Sequence, residues 1–336
     1  MRTSSTAIAH PNLALVKYWG QYDTDLNLPR NGSISVNLSG AMTRTTVVFA
    51  PDIAGDVVTV NGTSADRRAT QRVVTHLDRI RGLAGVRTAA RVTSTNDFPM
   101  DVGMASSASA FAALSLAATA ALGITLSRRE LSILARKGSG SACRSIPDGF
   151  VEWIEGTTDD GSYAQQLAPC AHWDLRIVSV AFRARRKMVG SMEGHRAAPT
   201  SPFYKARLAA VQMTLDCVRD ALLARDFGAL GMAVEREAIS LQAVAMTSKV
   251  AAYPWLSGIY YLEPETLQLM TAVQGWRARG LAVYFTLDAG PVVHLLCEAP
   301  DLTAVLDALK RLSQLHPSAV IVSQPGTGAR LLKPAD

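Results

Sequence analysis

The order in which strand-forming and helix-forming segments follow one another constrains this 336-residue chain more than any other feature. Residues 33–39 alternate polar and apolar side chains, 43–49 and 56–60 are also strand-prone, and Asn61-Gly62 is a hairpin turn signal. Residues 71–80 read as an amphipathic helix and 88–94 as a strand, after which an alanine-rich helix ends near Gly123. A further helix is predicted over 127–137, with Ser127 as N-cap and Glu130 completing a capping box. Strands follow at 149–154 and 175–182, then long helices at 203–224, 227–247 and 264–279. Two strand-prone runs, 282–287 and 292–297, flank Asp288-Ala-Gly-Pro291, and a helix over 302–315 precedes a last strand at 319–322. Such alternation with a late hairpin fits an α+β sandwich in each half. Cores divide beyond about 250 residues. The mixture of basic residues, Gly and Pro over 183–202 places the expected boundary near its start, giving domains 1–183 and 184–336.

Composition narrows the function. Hydrophobic residues make up 48% of the chain, which excludes disorder. The most apolar stretch, 105–122, contains four serines, so no membrane span is expected. The first ten residues lack an apolar core of the secretory type, and a cytoplasmic setting is the expectation. A net charge of +6 suits either nucleic acid or small anions. Because the basic residues are dispersed and lack interleaved aromatics, nucleic acid is not the expected partner. The four cysteines form no CxxC pair and the six histidines no metal-ligand spacing, so no protein-held metal is expected.

Four motifs carry possible chemistry. Pro99 to Ser109 combines Gly103 with Ser106 and Ser107 ahead of a helix, which suits either a phosphate loop or a glycine turn with N-capping serines. It lacks the Gly-Lys-Ser/Thr ending of a Walker A loop. Gly138-Ser139-Gly140-Ser141-Ala142-Cys143-Arg144 presents two hydroxyls and a guanidinium in what reads as a flexible loop, either an anion site or a helix cap with a surface arginine. Cys143 has no legible triad partner and reads as packing. Asp288, between two apolar strands, must find water, a cation or a catalytic task; a turn aspartate is the alternative. Lys17, in Lys17-Tyr18-Trp19-Gly20, gains meaning only beside Arg144 and Asp288. Together they suggest one carboxylate base and two cations, suited to phosphorylating an anionic alcohol.

These motifs, in this order and approximate spacing, resemble the mevalonate diphosphate decarboxylases of the GHMP kinase superfamily, over nearly the whole chain. The resemblance implies a ribosomal-protein-S5-like N-terminal half, a ferredoxin-like C-terminal half and an active site in the cleft between them. It implies transfer of the γ-phosphoryl of MgATP to the 3-hydroxyl of mevalonate 5-diphosphate, followed by loss of phosphate and CO2 to give isopentenyl diphosphate. Asp288 matches the catalytic aspartate, Lys17 the active-site lysine and Arg144 the arginine that holds the substrate carboxylate. Tyr18, Gln21, Ser139, Ser141, Ser191 and Met192 match substrate-contacting positions. Asn96, Gly103, Ala105, Ser106 and Ser107 match positions that bind ATP, with Mg2+ held mainly through the ATP phosphates. A homodimer is also implied.

Departures cluster where the substrate's 5-phosphates would bind. Gln21 stands where lysine usually follows Lys-Tyr-Trp-Gly, and Met192 occupies a position that is arginine in some members; Arg30 or Arg196 is the candidate replacement. Mevalonate 5-phosphate, needing fewer cations, is therefore an alternative substrate, as is a related 3-hydroxy acid. A 3-hydroxyl kinase without decarboxylation and a non-catalytic binding homologue are further alternatives, which retention of Lys17, Arg144, Asp288 and the serine loop opposes. Asp101, Pro147-Asp148 and Val292 also differ from the family pattern.

Overall fold

The computed structural model describes residues 3–52, 54–98, 106–182, 187–312 and 314–332. Among them are eight α-helices: α1 (Arg67–Ala84), α2 (Ser106–Ala121), α3 (Arg128–Gly138), α4 (Ser191–Ala197), α5 (Tyr204–Ala224), α6 (Phe227–Met246), α7 (Pro264–Ala278) and α8 (Leu302–Lys310). Local chemistry sets their ends. Asp66 caps α1 by accepting from Ala69 N–H, Asp226 does the same for α6 through Ala229, and Ser127 and Glu130 form the expected capping box of α3. The Asn61-Gly62 turn has positive φ at both residues, 48° and 79°, as a tight hairpin requires.

Three larger sheets carry the fold. A six-stranded sheet orders Arg330–Leu331, Thr3–Ala9, Thr43–Phe49, Ala90–Asn96, Val57–Val60 and Thr63–Ser64, and packs against α1, α2 and α3. Helix α2 is buried around most of its circumference, which its alanines allow by letting backbones approach closely. A four-stranded antiparallel sheet orders Tyr163–Ala168, Phe150–Ile154, Ser33–Asn37 and Asn12–Val16. The third sheet, also antiparallel, orders Tyr284–Leu287, Val293–Glu298, Leu175–Ala181 and Ala319–Ser323. One cluster containing Leu13, Val36, Val211, Leu215, Leu230 and Leu296 joins the second sheet, α5, α6 and the third sheet, which fixes the two halves against each other.

Hydrogen bonding crosses the 183/184 line in both directions. Leu175–Ala181 is an inner strand of the third sheet, while Arg330–Leu331 returns to pair with Thr3–Ala9. Some local expectations change. Residues 138–145 are not a flexible loop: Gly140–Ser145 forms a buried 3-10 helix packed on α2 and α3. The last helix stops at Lys310 rather than 315. Strands Asn12–Val16 and Tyr163–Ala168 and the short helix α4 are additional; Asn12–Val16 is buried at every position and so shows no alternation to read. No helix among the described residues is long and apolar enough to cross a membrane.

Candidate active site

The strand Asn12–Val16 delivers Lys17 into the interior, where it is 1% exposed. A buried ammonium must be compensated. Lys17 Nζ donates to the Ala14 carbonyl at 2.6 Å and to Asp288 Oδ1 at 2.8 Å. Its main chain is braced from the opposite half, where Lys17 N–H donates to Glu237 Oε1 at 3.0 Å and its carbonyl accepts from Arg207 at 3.0 Å, and from its own half, where the carbonyl accepts from Asn31 at 2.9 Å. Arg207 and Glu237 are themselves a buried ion pair joining α5 to α6. Gln242 of α6 donates to the Asp288 carbonyl at 3.0 Å, holding the turn after Tyr284–Leu287. The Asp288 side chain retains 32% exposure, so its carboxylate faces open space on one side and Lys17 on the other.

Burial acts on both partners. Desolvation would raise the Asp288 carboxyl, but the charge of Lys17, with that of Arg144, overcomes it and holds the group below the usual carboxylate value. Desolvation dominates at Lys17 and lowers its ammonium, opposed by Asp288 and Glu237. His294, whose Nδ1 shares a 2.8 Å hydrogen bond with Ser179, is pushed down to about 4 by burial and stays neutral.

Arg144 is 3% exposed and anchored on one edge. Its Nε donates to Asn12 Oδ1 at 3.0 Å and its Nη1 to Ser33 Oγ at 2.7 Å, while Asn12 Nδ2 donates in turn to Ser145 Oγ at 2.8 Å. Among the described residues Nη2 has no partner, so the end of the guanidinium is left as a fork for an anion. Cys143 is fully buried, and burial pushes its thiol up to about 12, in keeping with a packing role.

Lys17, Arg144 and Asp288 line one cavity of about 440 Å³. Lys17, Tyr18, Gln21, Ser107, Ser139, Ser141, Arg144, Ser191, Met192 and Asp288 all border it, so every candidate for catalysis or substrate contact is brought together. Asn96 and Ser106 border a smaller neighbouring pocket of about 160 Å³, which shares Ala69, Arg72 and Ser107 with the first. Gly103 and Ala105 lie outside the described residues, as does Asp101. Arg30 and Arg196 do not border the cavity: Arg30 stacks on the Tyr22 ring and donates to the Gln21 carbonyl, and Arg196 lies exposed on α4. Among the described residues the cations lining it are Lys17, Arg68, Arg72, Arg144 and Lys187.

Gln21 is not free to replace a lysine. Its amide nitrogen donates to the Tyr18 hydroxyl and to Asn27 Oδ1, both at 2.8 Å. His195 of α4 borders the cavity beside it, its ring stacked on Tyr18 and Trp19. The bracing residues Asn12, Ser33, Arg207 and Glu237, and His195 itself, carry no local motif; only their buried polar character, visible after folding, distinguishes them.

Comparison with known proteins agrees with this architecture. A model of the diphosphomevalonate decarboxylase-like N-terminal domain matches residues 9–164, and one of the mevalonate 5-diphosphate decarboxylase C-terminal domain matches 177–327. The chain is 35% identical over 292 residues to the phosphomevalonate decarboxylase of Haloferax volcanii, covering 87% of each. It superposes on mevalonate diphosphate decarboxylase of Staphylococcus aureus with a TM-score of 0.93 at 36% identity, covering 99% of each chain. A structure of MDDEF in complex with MVAPP, AMPPCP and magnesium gives a TM-score of 0.91 at 36% identity, covering 99% of this chain and 100% of that one. With its GHMP kinase fold and its paired Lys17 and Asp288 beside Arg144, the chain belongs to the mevalonate diphosphate decarboxylase family.

Proposed function

We propose that this protein is an ATP-dependent decarboxylase that phosphorylates the 3-hydroxyl of mevalonate 5-diphosphate and eliminates phosphate and CO2 to give isopentenyl diphosphate. The observation that carries it is the 2.8 Å Lys17–Asp288 pair in one cavity with the half-anchored Arg144. Asp288, kept ionised by Lys17, orients the 3-hydroxyl and takes its proton as the γ-phosphoryl moves. Arg144 holds the substrate carboxylate on its free fork. A tertiary hydroxyl leaves poorly, whereas a phosphate leaves readily; as phosphate departs from C3 with its bonding pair it takes up the proton held by Asp288, the restored carboxylate faces the positive charge developing at C3, and CO2 is lost while the pair of the broken C–C bond forms the alkene.

ATP fits the two adjoining pockets, with an apolar wall of Val58, Val73, Val92, Phe111 and Leu114 for a base and Ser107 and Arg72 between base and phosphates. Mg2+ bound to those phosphates would neutralise their charge. A related structure with AMPPCP and magnesium supports both cofactors.

A second substrate is favoured by a specific observation. Gln21 is committed to Tyr18 and Asn27 and Met192 is apolar, so mevalonate 5-phosphate, yielding isopentenyl phosphate, demands fewer charged contacts; the Haloferax relative bears that substrate in its name. Supplying MgATP with mevalonate, its 5-phosphate and its 5-diphosphate separately, and measuring ADP and CO2, decides between them. ADP without CO2 from every compound would replace decarboxylation with a simple kinase reaction. A homodimer, which the family resemblance implies, and a cytoplasmic setting are included in the proposal, and sedimentation and localisation of a tagged protein test them.

A further inference from the structure

We propose, resting on the function above, that His195 is a specificity-determining residue whose Nε2–H donates to an oxygen of the phosphate the substrate carries at C5. Gly20 N–H donates to His195 Nδ1 at 2.9 Å, so Nδ1 presents its lone pair and the hydrogen resides on Nε2. The ring cannot turn over, because Tyr18 lies 4.2 Å and Trp19 4.6 Å away, centroid to centroid. His195 is 9% exposed and borders the cavity, and among the described residues its Nε2–H has no hydrogen-bond partner. Nε2 is not among the fully buried atoms left without a partner, so this donor keeps contact with solvent, and on the border of the cavity a ligand oxygen can take the place of that solvent.

Its surroundings define what it recognises. Beside it, both Gln21 amide hydrogens are already engaged and Met192 has no donor, so this end of the cavity offers a fixed neutral donor in place of a mobile cation. The Gly20 contact adds a second consequence. Gly20 holds φ at 93°, and His195 pins its N–H, so the imidazole also fixes the turn that aims Tyr18 and Gln21.

Three variants separate donor, acceptor and ring. His195→Phe keeps the ring and loses both nitrogens, His195→Asn keeps an acceptor for Gly20, and His195→Gln restores a donor near the Nε2 position. KM for the phosphorylated substrate should rise about tenfold in the first two with kcat changed less than about threefold, KM for ATP should hold, and His195→Gln should recover most of the loss. In the unaltered protein labelled with 15N, the imidazole should show the Nε2–H tautomer, and that signal should move when the 5-phosphate ester is added without ATP. KM within about twofold in both Phe and Asn variants overturns the proposal, and so does an Nε2 signal unmoved by saturating ester. A wild-type protein that releases no CO2 from any mevalonate ester defeats the decarboxylase function instead, and the ester titration then still decides the role of His195.

Discussion

Replacing Arg144 by lysine keeps one positive charge and removes the planar fork, which isolates geometry from charge. The guanidinium makes two fixed bonds, to Asn12 at 3.0 Å and Ser33 at 2.7 Å, and keeps its Nη2 end for substrate. An ammonium on a flexible stem lacks the planar spread of donors that lets the guanidinium reach both anchors and the substrate at once. On the substrate side, losing one charge-assisted bond costs about 1.5–3 kcal/mol, or about 10- to 150-fold in kcat/KM. On the protein side, Asn12 or Ser33 is left buried with one partner fewer, a cost of about 1–3 kcal/mol in unfolding free energy. The first is read from coupled ADP release, and the second from urea unfolding followed by tryptophan fluorescence, since the Arg144 guanidinium lies 5.7 Å from the Trp153 ring. Ser33→Ala, which removes only an anchor, should cost less in turnover than Arg144→Lys. Turnover of the lysine variant within about threefold of wild type, with stability alone reduced, would refute the carboxylate-holding role.

Other outcomes follow from the same geometry. Asp288→Asn should abolish ADP formation with an unchanged circular dichroism spectrum; near-normal turnover would remove the carboxylate from the chemistry. Glu237→Gln strips the partner from buried Arg207 and weakens the brace on Lys17, so the unfolding free energy should fall by about 3–5 kcal/mol, with Glu237→Asp intermediate; an unchanged urea midpoint would show that the pair braces nothing. Acid should destabilise the fold well before carboxylates titrate. Burial holds His76 and His195 down at about 3 and His294 at about 4, against 6.5 when unfolded. The unfolded chain therefore binds more protons below pH 6.5, so stability is complete above that value and is lost as pH falls. The three together should cost about 4 kcal/mol between pH 7.5 and 5.5. A denaturation midpoint flat over that range would contradict it.

Helices and turns were legible where local chemistry decides them: the Ser127 capping box, the Asn61-Gly62 hairpin, and the apolar runs flanking Asp288 are short-range features. The all-buried strand Asn12–Val16 was not, because alternation vanishes when both faces are covered. Family motifs in register marked Lys17, Tyr18, Arg144 and Asp288, and residue type alone limited what each could do. The sequence also exposed the charge deficit at Gln21 and Met192. The candidate replacements, Arg30 and Arg196, are not among the residues that border the cavity.

Only the tertiary structure decided the rest. Lys17 meets Asp288 across 271 residues, and the ion pair that braces it comes from α5 and α6. Asn12 and Ser33 select which edge of Arg144 stays free, and a backbone N–H of Gly20 selects the tautomer of His195. Sequence determines which groups can carry charge or share a hydrogen. Folding determines which of them are removed from water together, and it is that shared desolvation which turns an ordinary lysine, arginine and histidine into a site.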